Sequence, residues 1–155
     1  MRSEADIPGV VARPPLIYLG FLAVGLVLDY VRPAPLIPDI AQYSLGAALI
    51  VLGAVILAAA IRQFRRAGTN VPTNRATTAL VADGLYRFSR NPIYIALSLV
   101  YAGIGIAADS PCVLGLLLPI LVIIRYGVIA REERYLERKS GQEYLRYKVS
   151  VRRWV

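Results

Sequence analysis

The sequence predicts an all-α membrane protein, a fold class indicated by its composition and by the length of its apolar runs. Hydrophobic residues make up 57% of the 155 residues, and the mean hydropathy is +0.54. Four runs approach the roughly 20 residues that a helix needs to cross a bilayer. A soluble domain of this size does not need such runs. We therefore predict a polytopic protein with about four transmembrane helices, forming one domain over residues 1–155.

The four predicted spans are bounded by residues that begin or end helices. Pro14 and Pro15 precede the first span, and prolines fill the short connection to the second. The third span begins at an Asn-Pro pair, in which Asn is a preferred N-cap and Pro a preferred first helical residue. The spans cover about Leu16 to Val31, Ile40 to Ile61, Pro92 to Ala108 and Val113 to Ala130.

A shorter amphipathic helix is expected near the C-terminus, after the last span. The segment Ser140-Gly141-Gln142-Glu143 indicates a break followed by a capping box, with Ser140 as N-cap and Glu143 at the third helical position. The apolar face predicted for this helix contains Tyr144, Tyr147, Val151 and Trp154. The basic residues between them suit contact with lipid phosphates. We predict that this helix lies at the cytoplasmic surface and covers the mouth of a site.

The distribution of arginines predicts the orientation of the chain in the membrane. The connection between the second and third spans carries many arginines against Asp83 alone, whereas the next connection carries only Asp109. The positive-inside rule then places the arginine-rich connection in the cytoplasm, together with both termini. The compact form favours a prokaryotic inner membrane. The net charge of +8 is explained by this topology and by contact with anionic membrane lipids, so we expect no nucleic-acid partner.

Two residue types restrict the possible chemistry. The chain contains no His, and Cys112 is its single cysteine. Without His, the chain lacks the side chain that titrates most readily near neutral pH. It also lacks the His ligands of the usual mixed zinc sites. A single cysteine also cannot form an intramolecular disulfide. We expect neither a metal site nor metal catalysis.

The polar residues that suggest a function lie in two places along the chain. Leu80 to Tyr94 contains a turn, three aromatic residues and an Arg-Asn-Pro corner directly before the third span. Arg131-Glu132-Glu133 lies where the fourth span ends. A hairpin of the last two spans would bring both groups to the same side of the membrane. Carboxylates and hydrogen-bond donors together there indicate a site for a charged cofactor.

Each of these residues also has a purely structural interpretation. Asn91 and Pro92 could simply begin a helix, and Tyr94 could anchor the membrane interface. The glutamates could form a solvated helix end that neighbouring arginines balance. On that interpretation the chain is a non-catalytic membrane scaffold. A small dimeric exporter is a further alternative, although its acidic candidate, Asp29, lies near the end of a span rather than deep within it.

Five short segments in the second half of the chain form an ordered pattern. They are Leu80-Val81, Gly84-Leu85-Tyr86, Arg90-Asn91-Pro92-Ile93-Tyr94, Glu132-Glu133-Arg134-Tyr135-Leu136 and Gly141-Gln142-Glu143-Tyr144-Leu145-Arg146-Tyr147. From Arg62 to Trp154 the chain thereby resembles a family of membrane methyltransferases. That family includes the isoprenylcysteine carboxyl methyltransferases and the phospholipid N-methyltransferases, which use S-adenosylmethionine.

The resemblance implies methyl transfer from S-adenosyl-L-methionine to an oxygen or nitrogen of a lipid-like or isoprenoid-linked acceptor. It also implies a cofactor region at about residues 78–94 and 131–147. The implied cofactor-binding residues are Thr78, Ala79, Leu80, Val81, Tyr86, Asn91, Pro92, Ile93, Tyr94, Glu132, Glu133 and Tyr144. Physically, a carboxylate suits the ammonium group of this cofactor, and tyrosine rings suit its sulfonium.

Two positions depart from the family pattern. Asn91 replaces a His of the eukaryotic carboxyl methyltransferases, and an amide does not titrate near neutral pH. Val128 stands where those enzymes carry a substrate-binding Arg, one turn before the Glu pair. The nearest replacements are Arg125 and Arg131, our candidate catalytic residues. On an ideal helix Arg125 lies two turns before Glu132 on about the same face, although it could instead extend to the lipid headgroups.

Overall fold

The computed structural model describes residues 7–35, 39–71 and 76–154, and these residues form helices and their connections. The other residues of the predicted domain 1–155 lie outside the described ranges. The helices are α1 (Pro14–Val31), α2 (Asp39–Arg66), α3 (Pro92–Ala107), α4 (Pro111–Ile123) and α5 (Ala130–Ser150). A π-helix, Ile124–Ile129, joins α4 to α5, and a short 3-10 helix, Gly84–Arg87, lies in the long connection before α3. The predicted all-α fold class is confirmed.

Three of the described helices are long and apolar enough to cross a membrane. These are α1, the part of α2 from Ala41 to Arg66, and the continuous helical stretch Pro111–Ser150, while α3 is a shorter apolar helix. The predicted second span ends at Ile61, but α2 continues to Arg66. Arginine and glutamine favour helix, so the helix does not end where the apolar run ends.

The helices pack with α2 along α3, α1 against α4, and α3 beside α4. The segment before α1 lies beside the π-helix, because Val11 donates its backbone N–H to the carbonyl of Gly127 at 3.2 Å. Arg131 donates to the carbonyl of Gly9 at 2.6 Å in the same region. We call this end of the bundle, which also contains the end of α2 and the start of α3, the charged end.

Glycines bring the backbones of α2 and α3 close together. A Cβ atom on Gly53 would lie 2.7 Å from the carbonyl oxygen of Ala96, and one on Gly46 would lie 2.7 Å from the Cβ of Ala107. Small residues at such positions let helices in a membrane gain packing contacts that larger residues would prevent. The α2–α3 pair therefore provides a rigid support for the elements at the charged end.

The C-terminal region differs in part from its prediction. A break occurs at Gly141, which has φ 49° inside α5, as expected. The helix ends at Ser150, however, and Val151 is extended, with φ −124° and ψ 131°. The prediction that Val151 and Trp154 continue a helical face is therefore wrong, because the backbone there bonds to the start of α3 instead of continuing the helix. We call residues 151–154 the C-terminal strap.

Candidate functional site

A cavity of about 490 Å³, including its open mouth, lies at the charged end. Its walls come from α2, the connection before α3, and both halves of α5. The lining residues are Phe64, Thr77, Ala79, Leu80, Val81, Tyr86, Arg90, Asn91, Glu132, Glu133, Leu136, Tyr144 and Tyr147. The cavity thus combines two carboxylates, an arginine and three tyrosines with an apolar wall. We call it the polar cavity.

The two glutamates at the start of α5 project into the polar cavity, where each has a different environment. Glu132 is 6% exposed, and its Oε1 accepts a hydrogen bond of 2.7 Å from the hydroxyl of Tyr94 on α3. A hydroxyl bonded to a carboxylate forms a strong, charge-assisted hydrogen bond. The bond fixes one oxygen of Glu132 and so orients its carboxylate.

Glu133 is held by two arginines. The Nε and Nη2 atoms of Arg153 donate to Oε1 and Oε2 of Glu133 at 2.9 and 3.0 Å, and Nη1 of Arg90 lies 3.2 Å from Oε1. Burial alone would raise the pKa of Glu133, but the hydrogen bond from Arg153 and the charges of both arginines outweigh it, so its pKa is lowered. Glu133 is therefore an anion that ties α5 to the C-terminal strap.

Backbone hydrogen bonds attach the same strap to the start of α3. Arg90 donates its backbone N–H to the carbonyl of Arg152 at 3.0 Å. The side-chain amide of Asn91 donates to the carbonyl of Arg153 at 2.9 Å, and the hydroxyl of Ser89 donates to the same carbonyl at 3.3 Å. Asn91 occupies the N-cap position of α3 but its side chain makes no capping bond. Its amide instead holds the strap against the cavity.

Tyrosines form the wall of the cavity opposite the corner of α3. Tyr147 donates its hydroxyl to the carbonyl of Tyr86 at 2.7 Å, and the ring of Tyr86 packs edge-on against Phe64 with centroids 5.3 Å apart. Burial raises the pKa of Tyr144 to about 12, and burial also raises the pKa values of Tyr86 and Tyr147. These hydroxyls stay protonated near neutral pH and act as donors or as dipoles.

The connection before α3 is folded back onto α2 and α5, so that its residues line the cavity. The hydroxyl oxygen of Thr69 accepts the backbone N–H groups of Thr78 and Ala79 at 2.8 and 3.3 Å. The backbone N–H of Thr77 donates to the hydroxyl of Tyr135 on α5 at 3.2 Å. Gly84 has φ +58°, a conformation that glycine adopts without strain. These contacts shape the mouth of the cavity.

Arg90 carries polar groups that its protein neighbours leave unsatisfied. Its side chain is 8% exposed, and Nε and Nη1 are buried without a hydrogen-bond partner among the described residues. The Nη1 atom lies near Glu133 but lacks hydrogen-bond geometry to it. A buried donor that is unpaired costs about 1–3 kcal/mol. The cavity therefore offers guanidinium donors to an anionic group of a bound molecule.

The structure brings most of the predicted cofactor residues together. Those lining the polar cavity are Ala79, Leu80, Val81, Tyr86, Asn91, Glu132, Glu133 and Tyr144. Tyr94 contacts it through its bond to Glu132. Thr78 is exposed and bonded to the turn at Thr69, Pro92 begins α3, and Ile93 lines a neighbouring groove. These last three predicted residues do not line the cavity.

The candidate catalytic arginines lie outside the polar cavity. Arg125 lines a separate cleft between α3 and α4, and Arg131 lies beside Gly9 on another face of α5. The alignment of Arg125 with Glu132 assumed an unbroken α-helix, but Arg125 is part of the π-helix Ile124–Ile129. A π-helix bonds residue i to i+5 and changes the face that each residue occupies. Neither arginine is placed to touch a molecule in the cavity.

Several cavity residues were not among the sequence predictions. They are Phe64, Thr77, Arg90, Leu136 and Tyr147. Arg90, Leu136 and Tyr147 belong to the quoted motifs, so the motifs contained a signal for them. Phe64 lies in the part of α2 that continues beyond the predicted end of the second span at Ile61. Arg153, the partner of Glu133, gave no sequence signal, because its pairing depends on the extended strap.

A phospholipid methyltransferase family model matches residues 41–143. The match runs from α2 through the corner of α3 and the glutamate pair to the tail. A protein of Haemophilus influenzae, described as an uncharacterized protein, is 60% identical over 42 residues, which are 27% of this chain and 65% of that protein. No solved structure matches. The chain spans less than two thirds of the length of the relative it matches. By the family match, the chain belongs to the phospholipid methyltransferase family.

Proposed function

We propose that the chain transfers a methyl group from S-adenosyl-L-methionine to an oxygen or nitrogen of a lipid-like or isoprenoid-linked acceptor. Membership of the phospholipid methyltransferase family supports methyl transfer at a membrane. The observation that carries the cofactor assignment is the buried juxtaposition of Glu132 and Arg90 in one cavity. A carboxylate and unsatisfied guanidinium donors match the ammonium and carboxylate groups of this cofactor.

The residues of the polar cavity divide the recognition between charge and apolar contact. Glu132 would hold the ammonium group, and Nε of Arg90, whose Nη1 already lies beside Glu133, would donate to the carboxylate. Leu80, Val81 and Phe64 form an apolar wall suited to a purine ring. The ring of Tyr86 presents a face to a sulfonium, an interaction worth about 0.5–2 kcal/mol depending on desolvation. When bound, S-adenosylmethionine supplies a methyl group that is already activated by the sulfonium.

The acceptor would approach through a groove of about 1000 Å³ that adjoins the polar cavity. Residues from α1, α2 and α3 line it, including Leu57, Ile61 and Leu97. Tyr94 lines this groove and also bonds to Glu132 in the polar cavity. The groove is mostly apolar and opens between helices of membrane length, as a lipid chain requires. Its position supports lateral entry of the acceptor beside Tyr94.

The protein's main contribution to the reaction is positioning. Well-oriented reactants can gain roughly 7–11 kcal/mol from proximity. The raised pKa values of the cavity tyrosines make their hydroxyls poor general bases. A carboxylate acceptor needs no base, whereas an amine acceptor must enter the site in its neutral form.

The same proposal includes the arrangement in the cell. Residues 1–155 act as one domain in a prokaryotic inner membrane, with the charged end and both termini in the cytoplasm. The long connection before α3 is rich in arginine and the short connection between α3 and α4 is not, which supports this orientation. The water-soluble cofactor then reaches the cavity from the cytoplasm, and the lipid-like acceptor reaches it from the membrane.

The test is calorimetric titration of S-adenosylmethionine and S-adenosylhomocysteine into the detergent-purified protein. Glu132→Gln should weaken binding about tenfold or more, since a hydrogen bond to a charged group is worth about 1.5–3 kcal/mol. Glu143→Gln is the matched control, because Glu143 is exposed outside the cavity. Transfer of labelled methyl into a membrane lipid extract then tests turnover. Absence of binding to folded wild-type protein would overturn the proposal and favour a membrane scaffold.

A further inference from the structure

A second cleft, separate from the polar cavity, lies between α3 and α4. Its volume is about 1110 Å³ including its open side, and most of its wall is apolar. The lining residues are Ile95, Ser98, Leu99, Ala102, Leu117, Leu121, Val122, Arg125, Tyr126 and Trp154. From Ile95 to Ala102 it follows α3 for about 10 Å at 1.5 Å per residue. We call it the α3–α4 cleft.

The α3–α4 cleft has a cation at its end nearest the charged end of the bundle. Arg125 lies over the ring of Tyr126, with its guanidinium carbon 5.2 Å from the ring centroid. No carboxylate pairs with Arg125 in the part of the chain that the structure describes, since Glu132 and Glu133 face the polar cavity. An arginine within a membrane-length helix normally pairs with an anion or extends to the headgroups. The cleft therefore combines an apolar trough with an uncompensated positive charge.

The cleft also contacts the C-terminal strap. Trp154, the single tryptophan of the chain, belongs to the strap and lines the cleft. The neighbouring Arg153 holds Glu133 at the polar cavity. The strap thus borders both the α3–α4 cleft and the polar cavity, because Trp154 lines the cleft and Arg153 is bonded to Glu133 at the cavity. A molecule in the cleft would rest against the element that borders the polar cavity.

We propose that the α3–α4 cleft binds a membrane lipid with an anionic headgroup. The headgroup phosphate pairs with Arg125, and one acyl chain lies in the trough towards Ala102 and Leu117. We expect an anionic lipid to bind more tightly than a zwitterionic one, because the ammonium group of a zwitterionic headgroup would be repelled by the positive charge of Arg125. Aromatic residues such as Tyr126 and Trp154 are favoured at the depth where headgroups meet acyl chains. This site does not depend on the methyltransferase assignment.

The single tryptophan makes the site directly observable. The protein is placed in lipid vesicles that contain increasing fractions of lipid with bromine on the acyl chain, a contact quencher of Trp154 fluorescence. Brominated phosphatidylglycerol is compared with brominated phosphatidylcholine, each diluted in unlabelled phosphatidylcholine. One cation near an anionic lipid surface favours the anionic lipid about fivefold. The wild-type protein should therefore reach half-maximal quenching at an about fivefold lower fraction of phosphatidylglycerol.

Variants separate the proposed site from general lipid contact. Arg125→Gln should remove the preference for phosphatidylglycerol, and Arg125→Lys should keep most of it. Arg62→Gln is the matched control, because Arg62 is an exposed arginine of α2 outside the cleft, and it should leave the preference unchanged. Inorganic phosphate in the buffer should not relieve the quenching. Equal quenching by both lipids in the wild type, a preference that survives in Arg125→Gln, or relief by free phosphate would overturn the proposal.

Discussion

Replacing Arg153 by Gln should loosen the C-terminal strap. Arg153 is the strap residue with a two-pronged contact to Glu133, at 2.9 and 3.0 Å. Glutamine keeps a similar stem but loses the charge and the fork of donors that match a carboxylate. Glu133 remains beside Arg90, so the variant should fold while the strap opens more often.

The size of the effect follows from the geometry of the pair. A hydrogen bond to a charged group contributes about 1.5–3 kcal/mol to stability. The side chain of Arg153 is 28% exposed and that of Glu133 is 10% exposed, so solvent screens part of this interaction. The remaining partner Arg90 also reduces the loss. We therefore expect a cost of about 1–2 kcal/mol, which raises the open fraction of the strap about 5–30-fold.

Hydrogen exchange measures this opening locally. The backbone N–H of Arg90 donates to the carbonyl of Arg152 at 3.0 Å, so it exchanges when the strap detaches. Exchange at Arg90 should accelerate about 5–30-fold in Arg153→Gln, because local opening sets its rate. Arg152→Gln removes the same charge from an exposed neighbour and should leave the rate unchanged. Equal acceleration in both variants, or none in Arg153→Gln, would refute the role given to the ion pair.

Two further predictions concern pH and helix packing. Since the pKa of Glu133 is lowered, the stability from its pairing is fully present above the ordinary Glu pKa of 4.5 and is lost as pH falls through the lowered folded value. Trp154 emission should report that acid transition in the wild type but not in Glu133→Gln, and an identical transition in both proteins would contradict the assignment. Gly53→Ala should lower the Tm, because the new Cβ meets the carbonyl of Ala96 at 2.7 Å and overpacking costs about 1–3 kcal/mol. Gly20→Ala is the control, because Gly20 has open space around it. An equal Tm for the two variants would contradict the close packing.

The apolar helices could be predicted from the sequence because their signal is local. About 20 apolar residues with proline near the start identify a span without knowledge of its neighbours. The predicted start of the third span at Pro92 is the observed start of α3. The apolar run of the second span ends at Ile61, whereas α2 continues to Arg66, since Arg62 to Arg66 favour helix as well as solvent. The apolar run and the helix therefore end at different residues.

The types of residue at the site could be predicted from the sequence, whereas the hydrogen-bond partners of those residues could not. The proximity of the α3 corner to Glu132 and Glu133 follows from a hairpin of two spans, and the structure places them around one cavity. The role of Asn91 was missed in detail, because its amide bonds to the carbonyl of Arg153, 62 residues away. No local pattern encodes a contact between a helix start and an extended segment so far along the chain.

The position predicted for Arg125 shows a different limit. Extrapolating helical faces over two turns requires regular geometry, and the π-helix Ile124–Ile129 interrupts it at the residues concerned. Neither propensity nor hydrophobic period identifies such a change, because the composition of Ile124–Ile129 is compatible with an ordinary α-helix. Arg125 therefore lines the cleft between α3 and α4 instead of the cavity that contains Glu132.

The attachment of the C-terminal strap has a consequence for biosynthesis. Asn91 and Ser89 emerge from the ribosome before their partner Arg153, which follows 62 and 64 residues later. At about 5–20 residues per second, the ribosome needs roughly 3–12 s to make this interval. During that time the corner of α3 exists without its cover, and the cavity lacks the tyrosines of α5. Completion of the site is therefore a late event in the synthesis of the chain.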